Sequence, residues 1–595
     1  MIDADLHEAL QQSPLFAGLE EAAATSLSHA AERIRVPVGA VLIQQGDASD
    51  SLYVVVRGRF VVERMNEQGT MAMLNEISAG EVLGEMAMLS SEPRAATVRA
   101  VRDSDVIEVS RAAFERLAAT YPELMRRLAS LLAGRLRSAN APARPREHLR
   151  TIAMIPHDDR VSLTSFAAKV HAALASYGET EMLTSASMAE SDQRIEHALR
   201  DIAASDRAGC VTLLVGDAQD VEWNATILAQ ADLILVVALA SAPPEAGAVE
   251  ATISQMVPAR RELVLLHAPG TEPSGTTRWL QGARFTRHHH IRIDDDAHAH
   301  RLARRLAGCS IGLVLGGGGA RGFAHIGVYR ALVELGIPID RVGGTSMGSI
   351  MAAEVALGWD ADRMHERTRE AFRKDPLAWD NTLPFVSKIT CNKVVRLFQN
   401  LLGDARAEDC WLPYFSISCS LTDACTVTHR TGALWQCVRA SSALPGLGPP
   451  VIQGGKFLVD GAILDNLPAE VLAEEGMGPV IAVNVSPAED IGTTREDNYA
   501  LSGWRILWER LRGRPWALQY PNAMFVIQRT VLLGSVAMAE RMKQVASLYM
   551  HVPVGDFEMF KWSMIDPIVD VGYDTSTEVI AAFARELRTE GRLPG

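Results

Sequence analysis

A serine set between two glycines is the first residue of this sequence whose surroundings favour chemistry. The pentapeptide G-T-S-M-G, residues 344–348, has a strand-like run before it and a helix-like run after it. Gly344 and Gly348 permit the sharp strand-to-helix turn that lifts a serine hydroxyl clear of the backbone at a helix N-terminus. The pattern therefore predicts Ser346 as the nucleophile of an acyl-transfer reaction, with the two glycines as its elbow.

A serine nucleophile needs a base, which in Ser-His-Asp hydrolases is a histidine that follows the acid in sequence. The histidines that follow Ser346 do not lie in glycine-rich turns: His365, His429 and His551. The acid in a marked position is Asp460, within LVDGAILDNLPA, where it ends a β-like run and precedes a glycine. Because an unperturbed aspartate has a pKa of about 3.9, a Ser346–Asp460 dyad requires a dry pocket that raises this value.

A glycine-rich loop, LGGGGARG at residues 315–322, precedes the serine motif. Gly317, Gly319 and Gly322 spell G-x-G-x-x-G, as in dinucleotide-binding loops. A dinucleotide site would also need an acid at the end of the next strand, where this chain has residues 343–346, G-G-T-S. We therefore predict an oxyanion hole from the backbone N–H groups of Gly317, Gly318 and Gly319. Arg321 and Gly322 are expected to support the loop.

A second anion site is indicated far upstream, in LGEMAMLSSEPRAATV at residues 83–98. A short helix with exposed N–H groups and the Arg94 guanidinium suit one phosphate, and Glu85 suits a ribose hydroxyl. A surface loop with a Glu–Arg ion pair is the alternative. The segment resembles the phosphate-binding cassette of the cyclic nucleotide-binding domain family. That resemblance implies these site residues: Gly84, Glu85, Ala87, Arg94 and Ala95.

The same resemblance implies a regulatory ligand. Arg94 would hold the cyclic phosphate and Glu85 the ribose 2′-OH, while Gly84, Ala87 and Ala95 would let the backbone approach. Ala95 stands where cGMP-selective members tend to place threonine, which favours cAMP over cGMP. In many bacterial proteins this domain precedes a DNA-reading helix-turn-helix, but no recognition helix follows it here.

The serine, aspartate and glycine motifs together resemble the patatin-like phospholipase family, which uses a Ser-Asp dyad. The motifs G-G-G-x-R-G, G-x-S-x-G and D-G-[GA] occur in that order. The segments CVRASSALPG and LSGWRILWERL also resemble the neuropathy target esterase branch of this family. With the barrel and the middle α/β domain, the resemblance covers nearly the whole chain. The resemblance implies a serine lipid hydrolase that releases fatty acid from lysophospholipids or phospholipids through an acyl-enzyme, with no catalytic cofactor. Phospholipase A or general carboxylesterase activity stays open, as does a cyclic-nucleotide-responsive binding protein with a degenerate hydrolase body.

The elements that must position these residues form three successive domains. Residues 1–139 alternate β-rich runs with glycine turns and end in helical spacing, which predicts a β-barrel or jelly roll with flanking helices. Residues 140–148 hold two prolines and form the expected linker. Strands and helices alternate over 149–307, which predicts a Rossmann-like α/β domain without a phosphate loop. Residues 308–595 are expected to form the α/β patatin-like hydrolase domain that the resemblance implies, with a catalytic core at about 310–485 and a helical extension at about 486–595.

Composition limits the partners and the compartment. A net charge of -14 argues against nucleic acid as a partner. The seven cysteines form no C-x-x-C pair and the first residues have no apolar run, so we expect a reduced, cytoplasmic protein without a signal peptide. A lipid substrate would then require transient, peripheral contact with the cytoplasmic membrane. The sequence leaves a homo-oligomer open.

Two further features favour structural roles. The run RHHHIRIDDDAHAH at residues 287–300 suggests a metal site, but consecutive histidines on a strand point to alternate faces, so no metal is expected. Trp504 and Trp508 lie four residues apart on one helical face. Packing is the main interpretation for this pair, and a membrane-interface patch is the alternative.

Overall fold

The computed structural model divides the chain into two compact units, Met1–Thr271 with Arg278–Ala307, and Glu272–Thr277 with Gly308–Gly595. The residues that the structure describes are 13, 15–16, 31–48, 50–65, 71–88, 93–140, 149–187, 194–208, 210–245, 260–281, 285–378, 380–383, 385–487, 502, 504, 508, 511 and 541–594. Most of the predicted linker at 140–148 lies outside them.

The first unit begins with the predicted barrel, whose two antiparallel sheets have the strand orders β1-β8-β3-β6 and β2-β7-β4-β5. Its strands are β1 Ala31–Val36, β2 Val41–Ile43, β3 Ser51–Arg57, β4 Arg59–Met65, β5 Met71–Ser78, β6 Val82–Leu83, β7 Thr97–Ala100 and β8 Ser104–Ser110. Helices Arg111–Thr120 and Glu123–Asn140 follow, and the Ser110 hydroxyl caps the first by accepting from the Ala113 N–H. Apolar side chains from both sheets fill the interior.

The rest of the first unit is a parallel sheet between helices, in the strand order β10-β11-β9-β12-β13-β14. The strands are β9 Thr151–Pro156, β10 Thr180–Thr184, β11 Val211–Val215, β12 Leu233–Leu239, β13 Arg260–His267 and β14 Arg287–Arg292. The helices are Leu163–Leu174, Arg194–Ala208, Val221–Gln230, Thr277–Leu280 and Asp296–Leu306. Every residue of β9 is buried, since helices cover both faces of a parallel sheet. The predicted α/β architecture is confirmed.

A buried carboxylate joins the barrel to this sheet. Asp232, just before β12, lies 3.5 Å from the guanidinium groups of both Arg59 and Arg102, which the barrel supplies. Its Oδ2 also accepts the N–H groups of Arg150 and Thr151, at 2.9 and 3.0 Å. Burial opposes the charged form, but the two arginines lower the pKa of Asp232. The two domains therefore share a hydrogen-bonded ion cluster.

The second unit is built on an eight-stranded mixed sheet of order β19-β20-β17-β16-β15-β21-β22, with β18 paired to β17. Its strands are β15 Gly312–Leu315, β16 Arg341–Thr345, β17 Tyr414–Ser420, β18 Cys425–His429, β19 Val451–Gln453, β20 Lys456–Asp460, β21 Val480–Asn484 and β22 Leu548–His551. Its helices are Ala324–Glu334, Met347–Ala356, Ala361–Phe372, Asn392–Leu402, Leu434–Ser441, Ala469–Ala473 and Ile565–Thr589.

The C-terminal region, predicted as a helical extension, also contains a strand. β22 pairs in parallel with β21 and extends the sheet. Helix Ile565–Thr589 packs against helix Ala324–Glu334, where a side chain in place of Gly327 would overlap the Val569 carbonyl. Short apolar runs do not distinguish a strand from a buried helix by periodicity alone, so pairing with β21 decides the strand. Among the described residues no helix is long and apolar enough to span a bilayer.

Candidate active site

Ser346 occupies the predicted elbow between β16 and helix Met347–Ala356, with φ 54° and ψ −124°. This backbone conformation is rare for a residue with a side chain, and such strain gathers at functional sites. A Cβ on either Gly344 or Gly348 would overlap the Leu315 carbonyl oxygen, so the turn requires both glycines. The Ser346 N–H donates to the Ser441 hydroxyl at 3.0 Å, which holds the turn.

Asp460, at the end of β20, accepts the Ser346 hydroxyl. The distance from Ser346 Oγ to Asp460 Oδ2 is 2.8 Å, and Oδ1 accepts the Ala462 N–H at 2.9 Å. The side chain of Asp460 is completely buried. Burial raises the pKa of Asp460 to about 6, while the two hydrogen bonds and the Arg439 charge hold it from rising further. The dyad geometry and the raised pKa are those of a general base that works near neutral pH.

The three histidines that follow Ser346 have other partners. His365 contacts Asp566 at 2.8 Å, His429 contacts the Ser418 hydroxyl at 2.7 Å and His551 contacts the Ser486 carbonyl at 2.9 Å. In this arrangement the group beside the serine hydroxyl is a carboxylate.

The glycine loop lies beside the serine, since the Cβ of an alanine at position 317 would be 2.9 Å from Ser346 Cβ. The Gly317 N–H, however, donates to Asn466 Oδ1 at 3.1 Å, and Asn466 Nδ2 donates to the Gly317 carbonyl at 3.2 Å. In the described part of the chain the N–H groups of Gly318 and Gly319 have no acceptor. Of the three predicted oxyanion donors, two are therefore available, and Gly317 is instead the point where the loop is braced.

Arg321 and Gly322 lie where the loop becomes a helix. The Arg321 guanidinium donates to the carbonyls of Phe557 and Gly555, at 2.7 and 3.1 Å. Gly322 allows close approach of Met347, the residue after the nucleophile. Behind the loop, buried His325 contacts the Gly316 carbonyl at 2.8 Å, and burial lowers the pKa of His325 to about 4. The loop is thus fixed from three sides.

Sequence reasoning missed three residues of this site: Asn466, Ser441 and Arg439. Asn466 lies six positions after Asp460, within LVDGAILDNLPA, and Ser441 and Arg439 lie in CVRASSALPG. Arg439 is buried, donates to the Pro449 carbonyl at 2.9 Å and places a positive charge near Asp460. Both stretches carry the family resemblance, but no local pattern gives these three residues a role, because each acts through a residue distant in sequence.

The predicted phosphate cassette lies against the barrel wall. Arg94 is buried, and its guanidinium donates to the Ser51 carbonyl at 2.8 Å and the Gly84 carbonyl at 3.4 Å. Gly84 has φ 71°, and a Cβ there would press on that guanidinium. Glu85 is buried at the start of the short 3-10 helix Glu85–Met88, which includes Ala87, and Ala95 is exposed. Residues 89–92, within the cassette, lie outside the described residues.

The histidine-rich run at residues 287–300 and the pair Trp504 and Trp508 are both expected to have structural roles. His289 contacts Glu262 at 2.8 Å, and His290 contacts His267 at 2.9 Å. No cluster of three or more metal-ligating side chains occurs within the described ranges. Trp504 and Trp508 are exposed, and most of the residues around them lie outside those ranges.

Three family models match successive parts of the chain. Residues 33–121 match the cyclic nucleotide-binding domain, residues 148–311 the Neuropathy Target Esterase family P-loop like domain, and residues 313–473 the patatin-like phospholipase. The human "Patatin-like phospholipase domain-containing protein 6" is 32% identical over 92% of this chain and 44% of that protein.

Relatives from other eukaryotes give the same result. "Lysophospholipase nte1" of Neosartorya fischeri is 30% identical over 96% of this chain and 43% of its own length. "Neuropathy target esterase sws" of Drosophila melanogaster is 30% identical over 92% of this chain and 42% of its own. The chain thus spans under half the length of these relatives. All three domains are matched in this order, so the chain combines a patatin-like phospholipase domain with the two preceding domains and is similar to neuropathy target esterase relatives over most of its length.

Proposed function

We propose that this protein is a serine lipid hydrolase that releases fatty acid from lysophospholipids or phospholipids through a Ser346–Asp460 dyad. The observation that carries the proposal is the 2.8 Å hydrogen bond from the Ser346 hydroxyl to a fully buried aspartate. The strained elbow and the neighbouring glycine N–H groups support it. The match of residues 313–473 to the patatin-like phospholipase supports an ester of a lipid as the substrate class.

The first half-reaction forms an acyl-enzyme. Asp460 Oδ2 takes the hydroxyl proton of Ser346 while Oγ attacks the ester carbonyl carbon. The resulting oxyanion would accept hydrogen bonds from the N–H groups of Gly318 and Gly319, whose orientation Asn466 maintains through Gly317. Collapse breaks the bond between the carbonyl carbon and the alcohol oxygen, and Asp460 returns the proton to the departing alcohol.

The second half-reaction regenerates the enzyme. A water molecule gives a proton to Asp460 and attacks the acyl carbon. The acyl–Oγ bond then breaks, the fatty acid leaves, and Asp460 returns the proton to Ser346. Atoms and charge balance over the cycle, and the chemistry requires no cofactor.

Phospholipase A and general carboxylesterase activities use the same dyad, so the substrate must be assigned by experiment. Free fatty acid is measured with a lysophospholipid, a diacyl phospholipid and a soluble short-chain ester, for the wild type and for Ser346→Ala. Fatty acid that depends on Ser346 and is released fastest from lysophospholipid supports the proposal. Preference for the diacyl lipid or the soluble ester selects an alternative. If no substrate yields fatty acid, the remaining alternative is a cyclic-nucleotide-responsive binding protein with a degenerate hydrolase body.

We further propose that cyclic nucleotide binding at Arg94 and Glu85 regulates this activity. The match of residues 33–121 to the cyclic nucleotide-binding domain supports a phosphate ligand at the buried guanidinium. The Asp232 cluster offers a route by which the barrel can influence the sheet that follows it. The lipid panel, run with and without cAMP and cGMP, tests the regulation.

A further inference from the structure

A protruding hairpin in the second unit carries large apolar side chains into solvent. Its tip contains Leu383, Phe385 and Val386, which are 73%, 90% and 69% exposed. Among the large apolar side chains of the described residues, Phe385 is the most exposed. Exposure of this degree costs free energy unless a partner covers the surface.

Hydrogen bonds hold the base of the hairpin in place, although the side chains at its tip are exposed to solvent. Asn381 and Ile389 form a β-bridge, and the Thr382 N–H donates to the Lys388 carbonyl at 3.0 Å. The Thr390 hydroxyl donates to Asp380 Oδ1 at 2.6 Å. Ile389 is buried, and its N–H donates to the Leu447 carbonyl at 3.0 Å. A fixed base with an exposed tip is suited to insertion into another phase.

A second apolar pair lies on the strand that ends at Asp460 and on its neighbour β19. Ile452 and Phe457 are cross-strand partners on β19 and β20 and are 71% and 51% exposed. Phe457 precedes Asp460 by three residues, so about 10 Å of strand separates it from the dyad. The hairpin base reaches the same region, because the backbone N–H of Lys388 donates to the Gly446 carbonyl at 3.2 Å, five residues before β19. Both apolar features are therefore linked through the backbone to the region that leads to the strand of Asp460.

The charges beside the tip are positive in a chain whose net charge is -14. Residues 380–396 contain three cations, Lys388, Lys393 and Arg396, against one acid, Asp380. All three cations are exposed, whereas Asp380 is buried. An interfacial anchor on an anionic lipid surface has this pattern. Its apolar side chains enter the acyl region, and the cations beside them contact the headgroups.

We propose that the tip residues Leu383, Phe385 and Val386, with Ile452 and Phe457, dock the protein on an anionic lipid bilayer and bring the dyad to its substrate. This inference rests on the proposed function for its substrate, but it is tested by binding, which does not require turnover. An exposed apolar tip with a cationic base suits a fluid lipid interface, which deforms around it. A folded protein partner would instead need a matching cavity.

Binding is measured with full-length Ser346→Ala protein, by sedimentation with vesicles of equal parts phosphatidylcholine and phosphatidylglycerol. Adding Phe385→Ser is expected to weaken partitioning about tenfold, because one large apolar side chain no longer enters the interface. Adding Val333→Ser, an exposed apolar residue on helix Ala324–Glu334, is the matched control and should change nothing. Equal partitioning of all three proteins overturns the proposal.

The cations are tested on the same vesicles. Lys388→Gln with Arg396→Gln should weaken binding to the mixed vesicles by roughly tenfold and have little effect on pure phosphatidylcholine. An equal loss on both vesicle types overturns the electrostatic part. If Phe385→Ser changes the oligomeric state in light scattering, a second copy of the chain covers the tip and the proposal is wrong.

Turnover separates this inference from the proposed function. In the active protein, Phe385→Ser should lower hydrolysis of vesicle lipid relative to a soluble short-chain ester, while Val333→Ser keeps the ratio. A ratio unchanged by Phe385→Ser overturns the docking role. If the wild type hydrolyses neither ester, the proposed function fails, and the vesicle-binding measurements alone decide the docking surface.

Discussion

Ser346 Oγ and Asp460 Oδ2 lie 2.8 Å apart although 114 residues separate them in the chain. The register explains the meeting, since Thr345 pairs with Ile417 and Asp460 pairs with Ser418, the next residue of β17. The two groups therefore come from adjacent positions in one sheet, and their geometry depends on three strands.

Removing either member of the dyad should abolish ester hydrolysis. Ser346→Ala is expected to lower kcat by about 10⁴-fold or more, because it removes the attacking oxygen. Asp460→Asn is expected to lower kcat by about 10³-fold, because it removes the base that accepts the proton. Fatty acid release by purified protein measures both, and far-UV circular dichroism checks folding. Near-wild-type turnover in Asp460→Asn would identify another base.

The activity should depend on the protonation of Asp460. Because burial raises the pKa of Asp460 to about 6, kcat/KM should rise tenfold per pH unit below that value and level off above it. A soluble ester avoids changes in lipid charge during the titration. A profile that stays flat from about pH 4 to pH 8 would contradict the assignment of this aspartate as base.

The same raised pKa predicts a cost in stability. The native state holds the proton more tightly than the unfolded chain, so stability falls as pH rises from about 4 to about 6 and is then constant. A shift of roughly two units corresponds to about 3 kcal/mol. The difference in unfolding free energy between wild type and Asp460→Asn should change by this amount over that range, with the variant gaining at higher pH. If the difference in unfolding free energy between the two proteins stays constant over this pH range, the raised pKa of Asp460 is refuted.

Asn466 should act as a positioning residue for the oxyanion donors. Asn466→Ala removes both hydrogen bonds to Gly317 and is expected to lower kcat about 10–100-fold with little change in KM, because the loop donors lose alignment only in the transition state. Asn400→Ala, at an exposed helical position, is the control. An increase in KM alone would show that Asn466 serves substrate binding instead.

Arg94 should control cyclic nucleotide binding. Arg94→Ala is expected to weaken cAMP binding at least about 30-fold in calorimetry, since it removes the buried positive charge that would bind the cyclic phosphate. Arg35→Ala, whose side chain is 66% exposed, is the control. Ala95→Thr adds a hydroxyl donor and should improve cGMP binding about fivefold. Absence of heat with both nucleotides in the wild type would refute the regulatory site.

Asp232 should hold the barrel and the following sheet together. Asp232→Asn leaves two buried arginines without this carboxylate and is expected to cost about 3–5 kcal/mol. Since the pKa of Asp232 is lowered, the stability it contributes is present above the ordinary aspartate pKa and is lost as pH falls through the lower native value. Hydrogen exchange of the β9 amides measures the loss, with exposed Asp159→Asn as control. Unchanged protection would contradict a structural role.

The sequence by itself determined the three domain types, because period-two alternation, buried apolar runs and glycine turns reflect local backbone geometry. It also indicated Ser346 and Asp460 as the candidate dyad, since a nucleophile elbow and an aspartate turn require particular residues at particular spacings. The strand β22 was not predictable, because a four-residue apolar segment becomes a strand only when an edge is available to pair with it.

Only the tertiary structure decided the finer points of the site. The bond between Gly317 and Asn466 joins positions 149 residues apart and leaves Gly318 and Gly319 as the available donors. The pKa of Asp460 depends on burial by surrounding elements, and the proximity of Arg439 modifies it. The exposure of Phe385 likewise follows from the way the base of its hairpin packs. Such properties arise from contacts between distant segments, and no local pattern in the chain records those contacts.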